Sequence, residues 1–231
     1  MSFEMYTGRI DLTEPDGRTF DYERFILTAN PDGTRTLRTL TRSPKGDLLR
    51  DTNQLVAANW RPIEAMGRLF FKGQAHGTVM RRVIGDKLQS WVWPQGGDMD
   101  YAEFDAPQKM TVGFHPIFHD IWKTCFIDTS NNDWQDILIH TVSNSWNGSS
   151  LGHGQKITGK MRYVGTEQLT VPAGTFDAQR FEWKTSFGKI LHLWRTGPHN
   201  IFLKLVVAEG DKAGSIYELH SLETQKVVWP A

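Results

Sequence analysis

Residues Arg162–Trp183 constrain the fold of this chain more than any other stretch. They read as a strand, a tight Pro172-Ala173-Gly174 turn and a second strand. In the first arm Val164, Thr166, Gln168 and Thr170 fall on one face, and Gly165, Glu167, Leu169 and Val171 on the other. Pro172 presets φ for the turn, and Gly174 supplies a left-handed position free of a Cβ clash. The same grammar recurs along the chain. Turn signals at Asp16-Gly17, Pro31-Asp32-Gly33, Pro44-Lys45-Gly46, Gly85-Asp86, Gly96-Gly97 and Gly210-Asp211 separate β-rich runs. The runs are Tyr6–Leu12, Thr19–Ala29, Thr34–Arg42, Leu48–Ala57, Ile63–Lys72, Gln74–Ile84 and Lys87–Trp93. After a break come Asp136–Ser143, Gln155–Val164, Glu167–Val171, Thr175–Lys184, Lys189–Arg195, Asn200–Ala208 and Ser215–Leu222. Short strands with hairpin-length connections, and no helical crossovers between them, predict a mainly β fold. The expectation is one antiparallel β-barrel or strongly bent open sheet spanning residues 1–231 as a single domain.

One segment breaks the pattern. Between Phe114 and Asp128, Pro116 suits the first helical position, and His115 before it is pushed out of the α region. Ile117 and Ile121, with Phe118, Trp122 and Cys125, follow at helical spacing. A short helix over about 115–126 is therefore expected to pack an apolar face on the sheet. The polar stretch from Ser145 to Gly154 reads as a loop able to act as a lid.

Lys+Arg and Asp+Glu stand at 26 each. That balance argues against nucleic acid as a partner, because phosphate binding needs a basic surface. Nine Trp and thirteen Phe must either fill the barrel or line a pocket for an apolar ligand. The single cysteine, Cys125, rules out an internal disulfide and reads as a buried thiol. Met1–Tyr6 has neither a basic nor an apolar region of a signal peptide, and no apolar run is long enough to cross a membrane. A cytoplasmic protein without a membrane span is the expectation, and pairing with a second copy is left open.

Two pieces carry a family likeness. One is the Gly165–Trp183 hairpin, with Glu167 followed by Val171-Pro172-Ala173-Gly174-Thr175-Phe176. The other is Leu193-Trp194-Arg195-Thr196-Gly197-Pro198, followed by the apolar strand Ile201–Val207. Together they resemble bacterial β-barrel domains of unknown function related to the lipoprotein carriers LolA and LolB, with a lipocalin-like half-barrel. Asn59–Ala65 is compatible with the same likeness. The resemblance implies a concave, apolar-lined interior that holds a lipid-like molecule. The chain departs from the carriers in lacking a signal peptide and a lipidation cysteine near its start.

Several side chains fit acid/base chemistry in such an interior. His115 and His119 are four apart, but no third ligand is evident, so no metal is assigned. Either imidazole with Asp120 makes a candidate acid/base pair poised near neutral pH. The structural alternative is a His115 N-cap and a surface His119. On Lys189–Arg195, Ile190, His192 and Trp194 share a face, so His192 is a second proton carrier if that face is the lumen. Otherwise it is a core histidine. Glu182 is a candidate general acid if inside, or an exposed strand carboxylate opposite Lys or Arg. Tyr101, Trp122, Glu182 and Trp194 are the candidates for ligand contact, with an edge-strand role open for Tyr101. Neither a Gly-rich phosphate loop nor a Gly-x-Ser-x-Gly elbow is present, and no cofactor is assigned.

These features give three expectations of function. The first is a cofactor-independent lyase, isomerase or hydratase acting on a small hydrophobic, aromatic or isoprenoid metabolite. His115, His119, Asp120 and His192 would be its catalytic set. The second is a non-catalytic binding or carrier protein for a lipid or other apolar ligand. The third is an interaction module that docks a partner chain on an exposed strand or helix.

Overall fold

The computed structural model describes residues 2–113, 116–141 and 150–228. The strands form one fifteen-stranded sheet. In chain order they are β1 (Ser2–Thr13), β2 (Thr19–Ala29), β3 (Arg35–Arg42), β4 (Leu48–Val56), β5 (Pro62–Phe71), β6 (Gln74–Ile84), β7 (Lys87–Pro94), β8 (Asp100–Asp105), β9 (Met110–Gly113), β10 (Gln135–Thr141), β11 (Lys156–Val171), β12 (Gly174–Thr185), β13 (Ile190–Thr196), β14 (Ile201–Glu209) and β15 (Ile216–Val228). The first eight strands form a meander running outward from β1. β15 pairs with the other edge of β1, and the sheet continues β14-β13-β12-β11-β10-β9 on that side. The chain's first and last strands thus meet in the middle of the sheet, and β8 and β9 are its edges.

The sheet is open and strongly bent rather than closed into a barrel. Its ends nevertheless curl toward each other. Gln54 Nε2 on β4 donates to the Val112 carbonyl on β9 (3.3 Å), and an Arg61 guanidinium nitrogen donates to the Ala106 carbonyl (3.1 Å). Bulges drive the bend, because an extra residue on one strand kinks it and raises its local twist. One lies at Tyr163/Gly165, where Gly165 takes φ +151°. The two runs read from the sequence as Gln155–Val164 and Glu167–Val171 are in fact one strand, β11, broken in register at that glycine. The tip of the β11–β12 hairpin then reaches across to β15, where the Ala173 N–H donates to the Leu219 carbonyl (3.2 Å).

Two further corrections concern the middle of the chain. The short strand β9 was not expected, and β8 only as the edge-strand role left open for Tyr101. β9 pairs with β10 in parallel, the one parallel pairing among these strands.

The concave face carries the core. Ile10 and Leu12, Phe25 and Leu27, Leu37, Phe181 and Trp183, Leu191 and Leu193, Leu203 and Leu205, and Leu219 all lie buried in one cluster. Most alternate with more exposed neighbours, as period-two strands with one buried face require. The expected helix is real but short. α1 (Ile117–Trp122) continues as a single 3₁₀ turn over Lys123–Phe126, and Pro116 sits just before the first helical residue. Its apolar side is locked against the sheet. The Phe118 ring lies 4.7 Å from Phe25 and 6.4 Å from Phe202, and Trp122 lies edge-on to Trp60 at 5.6 Å.

What fixes the helix start is a side chain from β2. Glu23 is fully buried. Its carboxylate accepts the backbone N–H of Ile117 (2.7 Å) and of Phe118 (3.3 Å). Those donors have no partner inside the helix, so an acceptor must come from elsewhere.

Candidate functional cavity

A cavity of about 680 Å³ opens between α1, the concave face and one end of the sheet. Its walls are largely apolar: Leu12 from β1, Trp183 from β12, Leu191 from β13, Leu205 and Val207 from β14, and Tyr217 from β15. Phe187, in the β12–β13 turn, is 56% exposed and also lines the cavity, with Asp211 and Lys212 from the β14–β15 turn. These turn residues make a rim. Thr41, Arg50, Asp120 and Lys123 line the cavity among buried or nearly buried groups and make a polar floor.

The floor is electrostatically dense. Asp120 and Lys123, one helical turn apart, form an ion pair, and the Lys123 ammonium sits 4.6 Å from the centre of the Trp183 ring. Asp21, at the start of β2, lines the cavity too. Burial pushes its carboxyl up to about 6 against the pull of Arg50 and Lys212. Two residues further along the same face, burial pushes Glu23 up to about 7, although the Ile117 and Phe118 N–H groups and Arg50 favour its charged form. Burial lowers the Arg50 guanidinium, while Glu23 and Asp21 hold it charged. The Tyr217 phenol is pushed up to about 12, chiefly by burial. A partly buried site with a carboxyl that burial raises toward neutrality can bind a polar group, or exchange a proton with one.

Of the described residues singled out from sequence, only Asp120 lines this cavity. His115 lies outside the described residues, as do residues 145–149 of the expected lid loop. His119 is buried, stacked on Trp122 at 6.0 Å. Burial, then the nearby Lys123, pushes it down to about 3, so it is neutral at physiological pH. The expected imidazole poised near pH 7 is therefore not found there, and the nearest ionic partner of Asp120 is Lys123. Trp122 packs among Trp60, Phe118 and His119 and does not line the cavity.

His192, Trp194 and Glu182 are displaced by strand alternation. Leu191 on β13 and Trp183 on β12 face the cavity, so His192 and Glu182 point to the opposite face of the sheet. There Glu182 pairs with Arg162 (2.6 Å) and lies 3.7 Å from His192. An Arg180 nitrogen lies 3.2 Å from His192 Nδ1, and Trp194 Nε1 donates to Glu167. Desolvation, then Arg180, pushes His192 below the usual imidazole value. Tyr101 is exposed on the edge strand β8, its hydroxyl donating to Glu103 (3.2 Å) and its ring against Trp91.

Sequence reasoning missed Asp21, Glu23 and Arg50. A signal was present: on β2 the residues Asp21, Glu23, Phe25 and Leu27 alternate onto one face. Two carboxylates in register with an apolar face are expensive, and therefore informative.

A second polar centre lies across the concave face, on β6–β8. Arg81 is fully buried. One of its terminal nitrogens lies 2.7 Å from His140 Nδ1, and the other donates to the His153 carbonyl. Ser90 Oγ lies 2.8 Å from His153 Nδ1, and His153 Nε2 lies 3.0 Å from Asp100. Burial, then Arg81, pushes His140 down to about 4. The described end of the long loop is thus tied to β6, β7 and β8. Among the described residues no group of three or more His, Cys, Asp or Glu side chains is placed to share a metal ion, and no helix is long and apolar enough to cross a membrane.

No protein-family model matches the sequence. No curated protein matches it either. Solved structures share the architecture. A β-barrel-like protein of a domain family of unknown function, DUF1849, from Brucella abortus superposes with a TM-score of 0.53 at 9% identity, covering 97% of each chain. Weaker matches are a candidate lipoprotein from Parabacteroides distasonis (TM-score 0.45, 11% identity, 94% of each chain) and a candidate exported protein with a YmcC-like fold from Bacteroides fragilis (TM-score 0.42, 9% identity, 96% of this chain and 95% of that one). At such identities the likeness speaks for the fold alone. This chain has the fold of a bacterial β-barrel-like domain of unknown function.

Proposed function

We propose that the protein binds a small hydrophobic molecule in the cavity beside α1, with a polar end of the ligand at the buried floor. The observation that carries this reading is the cavity itself: about 680 Å³, with an apolar wall above convergent polar groups. Both its size and its lining fall in the range of small-molecule sites. An analogy supports the reading: the Gly165–Trp183 hairpin and Leu193–Val207 together resemble bacterial β-barrel domains related to LolA and LolB, whose open barrels hold lipid. Delipidated protein should take up one apolar ligand in native mass spectrometry, and Val207→Trp, which pushes an indole ring into the cavity, should weaken uptake while the fold survives. Uptake unchanged in that variant places the ligand elsewhere.

A second reading is favoured by one observation, the Asp21 carboxyl held near 6 at the cavity wall. In it the protein is a cofactor-independent lyase, isomerase or hydratase. Asp21 moves a proton on the bound metabolite, and the Asp120–Lys123 pair orients it. General acid/base catalysis of this kind contributes on the order of 10²–10⁴-fold. The two readings separate in one experiment. Wild type and Asp21→Asn are purified from the same host and their bound compounds identified. A carrier yields the same compound from both. An enzyme yields substrate from the variant and product, or nothing, from the wild type.

A further inference from the structure

The charges around the cavity narrow the ligand further, on the premise that the cavity binds one. Four cations line it: Arg50, Lys123, Lys189 and Lys212. Each stands with a carboxylate. Lys123 pairs with Asp120, Lys189 lies 3.8 Å from Asp211, and Lys212 lies 3.1 Å from Glu14. Arg50 is held charged by Glu23 and Asp21. The carboxylates in turn are shared among these same cations and the N–H groups of α1. Four cations thus stand with five carboxylates, Asp21 and Glu23 sharing Arg50, so the cavity has no surplus cation to receive an anion.

We infer that the polar head of the ligand is not an anion: the floor takes an uncharged head such as an alcohol or amide, and rejects a carboxylate or a phosphate. An anionic head would have to draw Lys123 or Arg50 from its own carboxylate and leave that carboxylate buried without a partner. Breaking a buried ion pair is strongly unfavourable, because the abandoned charge stays desolvated. This is specificity by penalty against the wrong head group. A neutral head makes no such demand. The Asp120 carboxylate can accept from a hydroxyl, and so can the Thr41 oxygen, whose own proton goes to Glu23. The hydrocarbon part then runs past Leu12, Trp183, Leu191 and Val207 toward the exposed Phe187 at the rim.

The test compares two probes of one chain length, 1-dodecanol and dodecanoate. Each is titrated below its aggregation threshold into delipidated full-length protein at pH 7.5, with occupancy read by native mass spectrometry. The expected result is 1-dodecanol binding at least about tenfold tighter than dodecanoate. Asp120→Asn, which leaves Lys123 without its carboxylate, should then shift the preference toward dodecanoate by about tenfold or more. Dodecanoate binding as tightly as the alcohol in the wild type overturns the inference against an anionic head but leaves the cavity as a ligand site. Failure of both probes to bind overturns both. An Asp120→Asn variant that keeps the wild-type order sinks the assignment of the head group to this floor.

Discussion

Glu23 shows how much one side chain decides here. Its ordinary value is 4.5, and the fold raises it to about 7. Between those values the unfolded chain has released the proton while the folded chain still holds it. The folded state is thus penalised increasingly as pH rises through that window. The penalty is absent below about pH 4.5 and complete above about pH 7, where 2.5 pKa units amount to roughly 3 kcal/mol. Glu23→Gln keeps an oxygen to accept from the Ile117 N–H and cannot ionise. Its stability relative to wild type should therefore climb from pH 4.5 to 7 and level off above, as read by urea titrations at each pH. A difference that stays flat across the window would mean that Glu23 is not desolvated as described. Gly8 acts by space instead. A Cβ there would meet the Ser221 carbonyl at 2.4 Å and the buried Phe25 ring at 2.5 Å. Gly8→Ala should cost about 1–3 kcal/mol through the shifts it forces on β15 and Phe25. A loss below about 0.5 kcal/mol in the same titrations would show that the strands part freely there. Gly8 was not legible as special in the sequence. Glu23 carried a signal, standing in register with Asp21, Phe25 and Leu27, but which face of β2 points inward had to come from the fold.

At the scale of elements, the strands were legible and the faces were not. Asp-Gly, Pro-Asp-Gly and Gly-Asp turns punctuate the chain, and nearly every run between them is a strand. Alternation along Lys189–Arg195 correctly grouped Ile190, His192 and Trp194, but a period of two does not say which face is inside. The core made that choice, since Leu191 and Leu193 pack on it while His192 meets Glu182 across the sheet. β9 was missed because Met110–Gly113 is four residues long and has no turn signal of its own. The loop before β11 carries a further expectation. Its described end is fastened through His153 to Ser90 and Asp100, and through two backbone carbonyls to Arg81. His153→Ala removes two of those ties and leaves the floor of the cavity untouched. Amide exchange over residues 150–154 should then speed up, with ligand uptake unchanged. Equal exchange in variant and wild type would show that the remaining ties, to Arg81 and through Gln155 to Thr141, hold the segment.

The whole molecule turns on the pairing of β1 with β15, which unites the two ends of the chain at the centre of the sheet. Strands on both sides of that seam contribute to one apolar cluster: Phe25, Leu27 and Leu37 from one half, Phe181, Leu193 and Leu205 from the other. Neither half has a complete core alone, so the sheet should unfold as one unit although its two edges are far apart in pairing order. Such long-range pairing must close large loops before it is rewarded, which slows folding relative to a local meander. Position along the sheet should then set the cost of a substitution. Leu219 on β15 is fully buried at the seam, and its carbonyl also receives the tip of the β11–β12 hairpin. Leu219→Ala should cost about 2–5 kcal/mol and move the entire transition, because the seam couples the halves. Tyr101→Ala on the exposed edge strand should cost under about 0.5 kcal/mol. Denaturation followed both by tryptophan fluorescence and by far-ultraviolet circular dichroism measures both claims. Two separated transitions in the Leu219 variant, one per half, would show that each half carries a core sufficient for itself and that the seam only joins them.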